Sequence, residues 1–242
     1  MKHIDTKYCY MDELCTCGIF YADQFKNARN VCDRKMNNKE QYLDPDAHSV
    51  KLYRDLYALW HGKELPDGKG RFDLGRMEGC MFVRGSERFS SDYIGPSATE
   101  AFIQKVEDAK MGEIIKKCRT IGGHIIWPSH ANSINQNKGK IYDRMDIALA
   151  ELKDYYSNPE GRAKYSTGLR EAYKKDGKWL AQFGSFEGFC EFFLMVGSFV
   201  DEKYDIVWFA SPKHSEVDYK CMAAKNVKAV ERRNEKIEEY MK

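Results

Sequence analysis

The sequence predicts an α+β fold in a single domain, with a small β-sheet packed against a helix-rich C-terminal half. Three observations carry this. Runs of branched and aromatic residues at 80–84, 119–127 and 204–210 read as short strands. Apolar residues recur at three- and four-residue spacing through much of 141–200, the mark of amphipathic helices. The 242-residue chain is long enough to bury a core and shows no internal repeat. Its core is expected at about 40–210, between a cysteine-rich N-terminal segment, 1–40, and a charged C-terminal helix, 213–242.

Composition narrows the function classes. Hydrophobic residues make up 43% and charged residues 31%, the balance of an ordinary globular protein. The net charge is only +2, so affinity for nucleic acid would have to come from a local patch. No apolar run approaches the ~20 residues of a membrane span, and no membrane partner is expected. Met1-Lys-His-Ile-Asp-Thr-Lys7 lacks the apolar region of an export signal. The expected location is therefore cytoplasmic, with the eight cysteines as reduced thiols. Cys9, Cys15, Cys17 and Cys32 cluster near His3, which raises zinc, but Cys15-Thr-Cys17 is tighter than the usual ligand pair. No metal site is assigned, and the cofactor is left open.

In chain order, Asp44-Pro-Asp-Ala-His-Ser49 reads as a turn into a helix. Tyr53, Leu56, Tyr57 and Trp60 give that helix one apolar face, and it should stop near Gly62. The glycine- and proline-rich 61–71 is a loop. After the strand Cys80–Arg84, the stretch from Arg84 to Pro96 reads as a polar loop carrying Arg84, Arg88, Ser90 and Ser91. Guanidinium forks, hydroxyls and backbone N–H groups are what a phosphate needs; the same serines could equally cap their own backbone. Ser97-Ala-Thr-Glu100 is a capping box that opens a helix to about Lys117.

The run Arg119-Thr-Ile-Gly-Gly-His-Ile-Ile-Trp-Pro128 is the centre of the chain. It reads as a strand in which Gly122-Gly123 marks a bulge or the close approach of another backbone or a ligand. Alternation puts His124 on the side of Ile126, which favours a hydrogen-bonded core histidine over a catalytic one. The polar loop 129–140 follows, with His130, Asn135, Gln136, Lys138 and Lys140. Amides can read base edges and lysines can meet phosphates, although any solvated loop uses the same residues. Ile141, Met145, Ala148, Leu152 and Tyr155 then share one helical face. Arg144 stands near that helix start, against the macrodipole preference. It calls for a partner, either a core carboxylate or a bound anion. Asp143 and Asp146 form a weak cation-binding pair.

Ser157-Asn-Pro-Glu-Gly161 breaks the chain before a helix from about Leu169 to Phe183. Phe186, Phe189 and Phe193 mark the most buried helix, an aromatic stripe of the core. A strand over Tyr204–Ala210 and a charged helix from about Glu216 close the chain.

Several stretches carry a resemblance in common. They are Asp44-Pro-Asp-Ala-His-Ser49, Ser90-Ser-Asp-Tyr-Ile-Gly-Pro96, Thr120-Ile-Gly-Gly-His-Ile-Ile-Trp-Pro128, Ile134-Asn-Gln-Asn-Lys-Gly139 and Asp143-Arg-Met-Asp146 with Tyr155-Tyr156. Over roughly 40–210 the chain resembles a bacterial family of uncharacterised soluble proteins. The resemblance implies a single bacterial cytoplasmic domain and carries no activity.

Three functional readings follow. The first is a protein that binds nucleic acid or a nucleotide, and cuts or modifies it. Arg84, Arg88, Ser90, Ser91, Arg119, Asn135, Gln136, Lys138 and Lys140 would be the binding groups. His124 or His130 would be the general base, with Arg88 or Arg144 as anion stabiliser. It requires these groups to converge. The second is a non-enzymatic factor that binds another protein, a regulator or inhibitor linked to a mobile element; it calls for a large exposed aromatic patch. The third, an NAD-using transferase, rests on an arginine near the Ser90-Ser91 pair and lacks a visible carboxylate pair. No Gly-x-Ser-x-Gly elbow, Walker loop or dinucleotide fingerprint is present.

Overall fold

The computed structural model describes residues 4–14, 44–97, 106, 111–138, 144–209, 211, 213 and 217–242. Its centre is a four-stranded antiparallel sheet in the order β1 (Arg76–Met77), β2 (Phe82–Arg84), β3 (Glu87–Tyr93), β4 (His124–Pro128). The α+β class is as the sequence predicts. The helices are α1 (Tyr10–Leu14), α2 (Pro45–His48), α3 (Val50–Trp60), α4 (Met111–Cys118) and α5 (Ile134–Lys138). They continue with α6 (Met145–Ser157), α7 (Thr167–Lys175), α8 (Gly177–Leu180), α9 (Phe186–Phe192) and α10 (Tyr219–Tyr240).

The arginine- and serine-bearing stretch after Arg84, expected as a loop, is strand β3. Gly85 at φ +59° lets the chain reverse over Gly85-Ser86, so Arg84 pairs with Glu87 across a two-residue hairpin. Phe89, Ser91 and Tyr93 then share one face of β3, and Ser90 and Asp92 the other. Strand β4 begins only at His124, because Ile121–Gly123 forms a single 3₁₀ turn. The expected close approach at the glycines is there. A Cβ on Gly122 would lie 2.5 Å from Asn234 Oδ1 and 2.7 Å from the Val230 carbonyl of α10.

Two further differences concern 129–140 and 204–210. The first holds the short helix α5, whose N-terminal Ile134 amide donates to the buried Asp176 carboxylate at 3.0 Å. The second is no strand among its described residues: Ile206 only bridges Val200. Asp201 accepts the amides of Lys203 and Asp205, each at 2.9 Å, and this local turn takes the place of ladder bonds. The expected helix 169–183 is divided into α7, α8 and a 3₁₀ turn at Ala181–Phe183. Of the Ser97–Glu100 capping box, all but Ser97 lies outside the described residues.

Helices pack on both faces of the sheet, and one face is covered by α3 from the N-terminal half. On one, Trp127 packs on Trp179 and Phe189 at ring separations of 5.6 and 5.4 Å, joining the Phe183/Phe192/Phe193 cluster. On the other, Tyr53 of α3 packs on Phe82 at 5.1 Å. The charged tail is the 22-residue helix α10, as its composition suggests. It is tied down by Arg233, fully buried, which donates to the carbonyls of Phe193, Gly122 and His124 at 2.7–2.8 Å. No helix among the described residues is long and apolar enough to cross a membrane.

Candidate functional site

Asp44 and Pro45 start the site. Asp44 is the N-cap of α2 and accepts the Asp46 amide at 3.1 Å, while Pro45 occupies the first helical position, where a missing N–H costs nothing. This fixed turn aims the Asp46 side chain at the edge of β3. Asp46 Oδ2 accepts the Tyr93 amide at 2.9 Å, and Oδ1 accepts the Ser91 hydroxyl at 2.5 Å. Tyr53 of α3 completes the clasp: its hydroxyl donates to the Asp46 carbonyl at 2.7 Å and accepts the Ser91 amide at 2.9 Å.

Across the β3–β4 ladder, His124 lies opposite Tyr93. Its Nδ1 is 2.9 Å from Asp46 Oδ1 and 3.2 Å from Ser91 Oγ. Burial works to raise the Asp46 carboxyl, but the charge and hydrogen bond of His124, with Arg119 and Ser91, outweigh it and hold the pKa down at about 2. A carboxylate so held can only accept, so Nδ1 carries a proton toward it. The other nitrogen, Nε2, is buried and has no hydrogen-bond partner among the described residues. Tyr10 stands edge-on to the imidazole at 5.9 Å and Tyr93 lies tilted at 5.5 Å.

Arg119 is the cation of the cluster. Its guanidinium lies 3.8 Å over the Tyr93 ring, 3.2 Å from Asp44 and 3.8 Å from Asp46. Burial raises the Asp44 carboxyl by more than Arg119 lowers it, and Asp46 adds to the rise. Two carboxylates two residues apart are thus driven in opposite directions, the environment that separates an acid from a base. The Asp44 side chain is 36% exposed, against 17% for Asp46 and 0% for His124, so the cluster opens to solvent on the Asp44 side.

Of the candidates in the sequence, Ser91, Arg119 and His124 come together here. The others do not. Arg84 pairs with Glu87 at 2.7 Å and Arg88 donates to the Gly85 carbonyl at 3.0 Å, both on the β2–β3 hairpin. Ser90 faces the opposite side of β3 and accepts the Asn135 amide at 2.6 Å. Lys138 is fully buried, donating to the Tyr93 carbonyl at 2.8 Å with Asp92 at 3.3 Å. It serves the fold rather than a phosphate on the surface. Gln136 is exposed, and Lys140 and Asp143 lie outside the described residues. His130 Nε2 meets the buried Asp176 at 2.5 Å, away from His124, and fastens the turn before α5 to the start of α8. Arg144 forms a two-pronged pair with Asp146 in its own first turn, both fully buried, and donates to the Ser211 carbonyl at 2.9 Å. Its partner among the described residues is a core carboxylate. Of the clustered cysteines, only Cys9 lies among the described residues, and it is buried.

A family model described as a family of unknown function, DUF6994, matches residues 31–237. The chain belongs to this family. No match is found among curated proteins or among solved structures. The DUF6994 match spans Asp44, Asp46, Ser91, Arg119 and His124, whereas Tyr10 precedes it. Asp44, Asp46, Tyr10 and Tyr53 belong to the site but are not singled out as site residues by the sequence. Asp44-Pro-Asp46 reads there as a turn, and its only other signal is membership of the motif set.

Proposed function

We propose that the chain is an acid–base enzyme acting on a nucleotide or other small phosphate-bearing molecule at the His124 centre. The observation that carries this reading is the pair of fates of the His124 nitrogens, with Nδ1 fixed by Asp46 and Nε2 buried and unpartnered. A buried ring nitrogen left unpaired costs ~1–3 kcal/mol, which a hydrogen bond to a ligand would recover. In this reading Nε2 is the general base and Asp46 holds the ring and stabilises the imidazolium that forms. Arg119 stabilises anionic charge, and Asp44, raised and at the mouth, can supply a proton. Protonation of Asp44 weakens its hold on Arg119 and lets the guanidinium turn toward an incoming phosphate.

A small ligand suits the site better than a nucleic-acid strand. Arg84, Lys138 and Arg144 each pair with a carboxylate of the chain rather than converging on the His124 centre. The protein-interaction reading lacks its patch: exposed large apolar side chains among the described residues are Tyr165, Val207 and Tyr240. A thermal-shift screen with nucleoside mono-, di- and triphosphates, short RNA and DNA, and divalent metals tests the proposal. Stabilisation by a nucleotide is expected. A response to RNA or DNA alone, or none at all, would contradict it.

A further inference from the structure

The rings that bound the His124 imidazole, Tyr93 and Tyr10, are held in different ways. Tyr93 is locked into the sheet: it belongs to β3, its amide binds Asp46, and the Arg119 guanidinium lies over its ring. Tyr10 comes from the segment 4–14, which lies outside the sheet and precedes the residues that the family model matches. Its amide donates to the Arg119 carbonyl at 2.9 Å, and its hydroxyl donates to Asp55 Oδ2 at 2.9 Å. Asp55 is itself paired with Lys51 at 2.8 Å, and the Lys51 amine lies 4.6 Å over the Tyr8 ring. Helix α1, which starts at Tyr10, contacts α2, the helix that carries Asp46.

The His124 side chain is 0% exposed, so a ligand meets Nε2 only if a neighbour moves. Tyr93 cannot withdraw without breaking the ladder between β3 and β4. Tyr10 can withdraw with the sheet intact. An open groove of about 730 Å³ already runs beside its segment. Among the described residues it is lined by Thr6, Cys9 and Asp12 of the segment, and by Lys117, Thr120 and Asn234. Solvent therefore reaches the chain neighbours of both Tyr10 and Arg119.

We propose that residues 4–14 form a strap that gates the His124 centre, with Tyr10 as the side chain that withdraws to let a small ligand reach Nε2. The inference rests on the general-base reading of His124 and supplies the way that base is reached. The closed form dominates, because Ile4, Cys9, Tyr10 and Met11 are buried in it. Closed, the strap keeps water from the imidazole. Because the Tyr10 amide bonds the Arg119 carbonyl, opening also releases the backbone of the residue that would meet a phosphate. Such gating movements are drawn from the less stable parts of a fold, and a short segment outside the sheet is one.

The test is carbethoxylation of the full chain by diethyl pyrocarbonate at pH 8, where an ordinary imidazole is neutral, with each histidine followed by peptide mass spectrometry. The reagent needs an accessible, neutral ring nitrogen. His61 and His130, whose side chains are 34% and 39% exposed, are the references. Tyr10→Phe keeps the ring and loses its bond to the Asp55 carboxylate, and Tyr10→Ala removes the ring. The readout is chemical access and uses no ligand, so a failed nucleotide screen counts against the proposed function and leaves this outcome as it is. His124 is expected to react ~10-fold faster in Tyr10→Phe than in wild type, the effect of one lost hydrogen bond to a charged group, and faster still in Tyr10→Ala. His61 and His130 should keep their wild-type rates. If Tyr10→Ala does not fold, Tyr10→Phe decides alone. An unchanged His124 rate in Tyr10→Phe, or a rise there shared by all three histidines, would overturn the proposal.

Discussion

Asp46 and His124 lie 78 residues apart in the chain and 2.9 Å apart in the fold, carboxylate Oδ1 to imidazole Nδ1. The contact joins the first helical turn after Asp44 to the first residue of β4, and Ser91 and Tyr93 of β3 bind the same carboxylate. One acidic side chain therefore fastens three parts of the chain and fixes which nitrogen of His124 is left for chemistry.

That carboxylate should show in the acid stability of the protein. Its folded pKa, at about 2, lies below the ordinary value, so its contribution is fully present above pH ~4 and is lost as the pH falls toward 2. The amount is on the order of 2 kcal/mol. Asp44, held high, acts in the opposite sense: its contribution is greatest at low pH and is lost as the pH rises above ~4. The Asp46 term is therefore read by difference. Urea unfolding of wild type and Asp46→Asn at pH 2.5 to 6 should give a stability gap that widens with rising pH. A gap independent of pH would show that Asp46 keeps its ordinary proton affinity in the fold.

Arg144 should behave as a core residue. Arg144→Met leaves the buried Asp146 without its cation and should cost ~3–5 kcal/mol in urea unfolding. Replacing both partners, as Arg144→Met with Asp146→Leu, should recover most of that loss, because no buried charge then remains unpaired. A stable Arg144→Met protein that fails to respond to a nucleotide would instead place Arg144 in a ligand site.

Gly122 should tolerate no side chain. In Gly122→Ala the new Cβ meets Asn234 and the Val230 carbonyl, and the 2.7 Å hydrogen bond from the Gly122 amide to Asn234 is put at risk. A loss of ~1–3 kcal/mol is expected from this overpacking, measured by the urea midpoint. Removing the Asn234 side chain as well should relieve only part of it, since the Val230 carbonyl belongs to the backbone of α10.

What the sequence discloses follows the range of the interactions. Local signals read well: the apolar spacing of Tyr53, Leu56 and Trp60 gives α3, and the Phe186–Phe193 stripe is the core of one face. The Gly122-Gly123 pair announces a close approach, although not that α10 makes it. Strand β3 is obscured because its polar residues, Ser90, Ser91 and Asp92, look like loop residues until Asn135, Asp46 and Lys138 are brought to them. For the same reason Lys138 reads as a surface cation, because Asp92 is brought to it by chain folding, whereas Arg144 is legible as needing a partner and finds it two residues on in Asp146. The site is legible only in half. His124 and Arg119 stand in the most conspicuous run of the chain, whereas Asp44 and Asp46 sit in a turn about 75 residues before Arg119.

The most direct measurement compares thermal stabilisation of wild type and His124→Asn by the same panel of nucleoside phosphates. Asparagine can keep a donor near Asp46 in place of Nδ1 but carries nothing in place of Nε2. At about 100 times its dissociation constant a bound ligand adds ~2.7 kcal/mol, or ~5 °C or more for a chain of this size. The proposed function predicts such a shift for at least one nucleotide in wild type and its loss in a His124→Asn protein that still unfolds cooperatively. Absence of any nucleotide shift in wild type, or an equal shift in the two proteins, would contradict it.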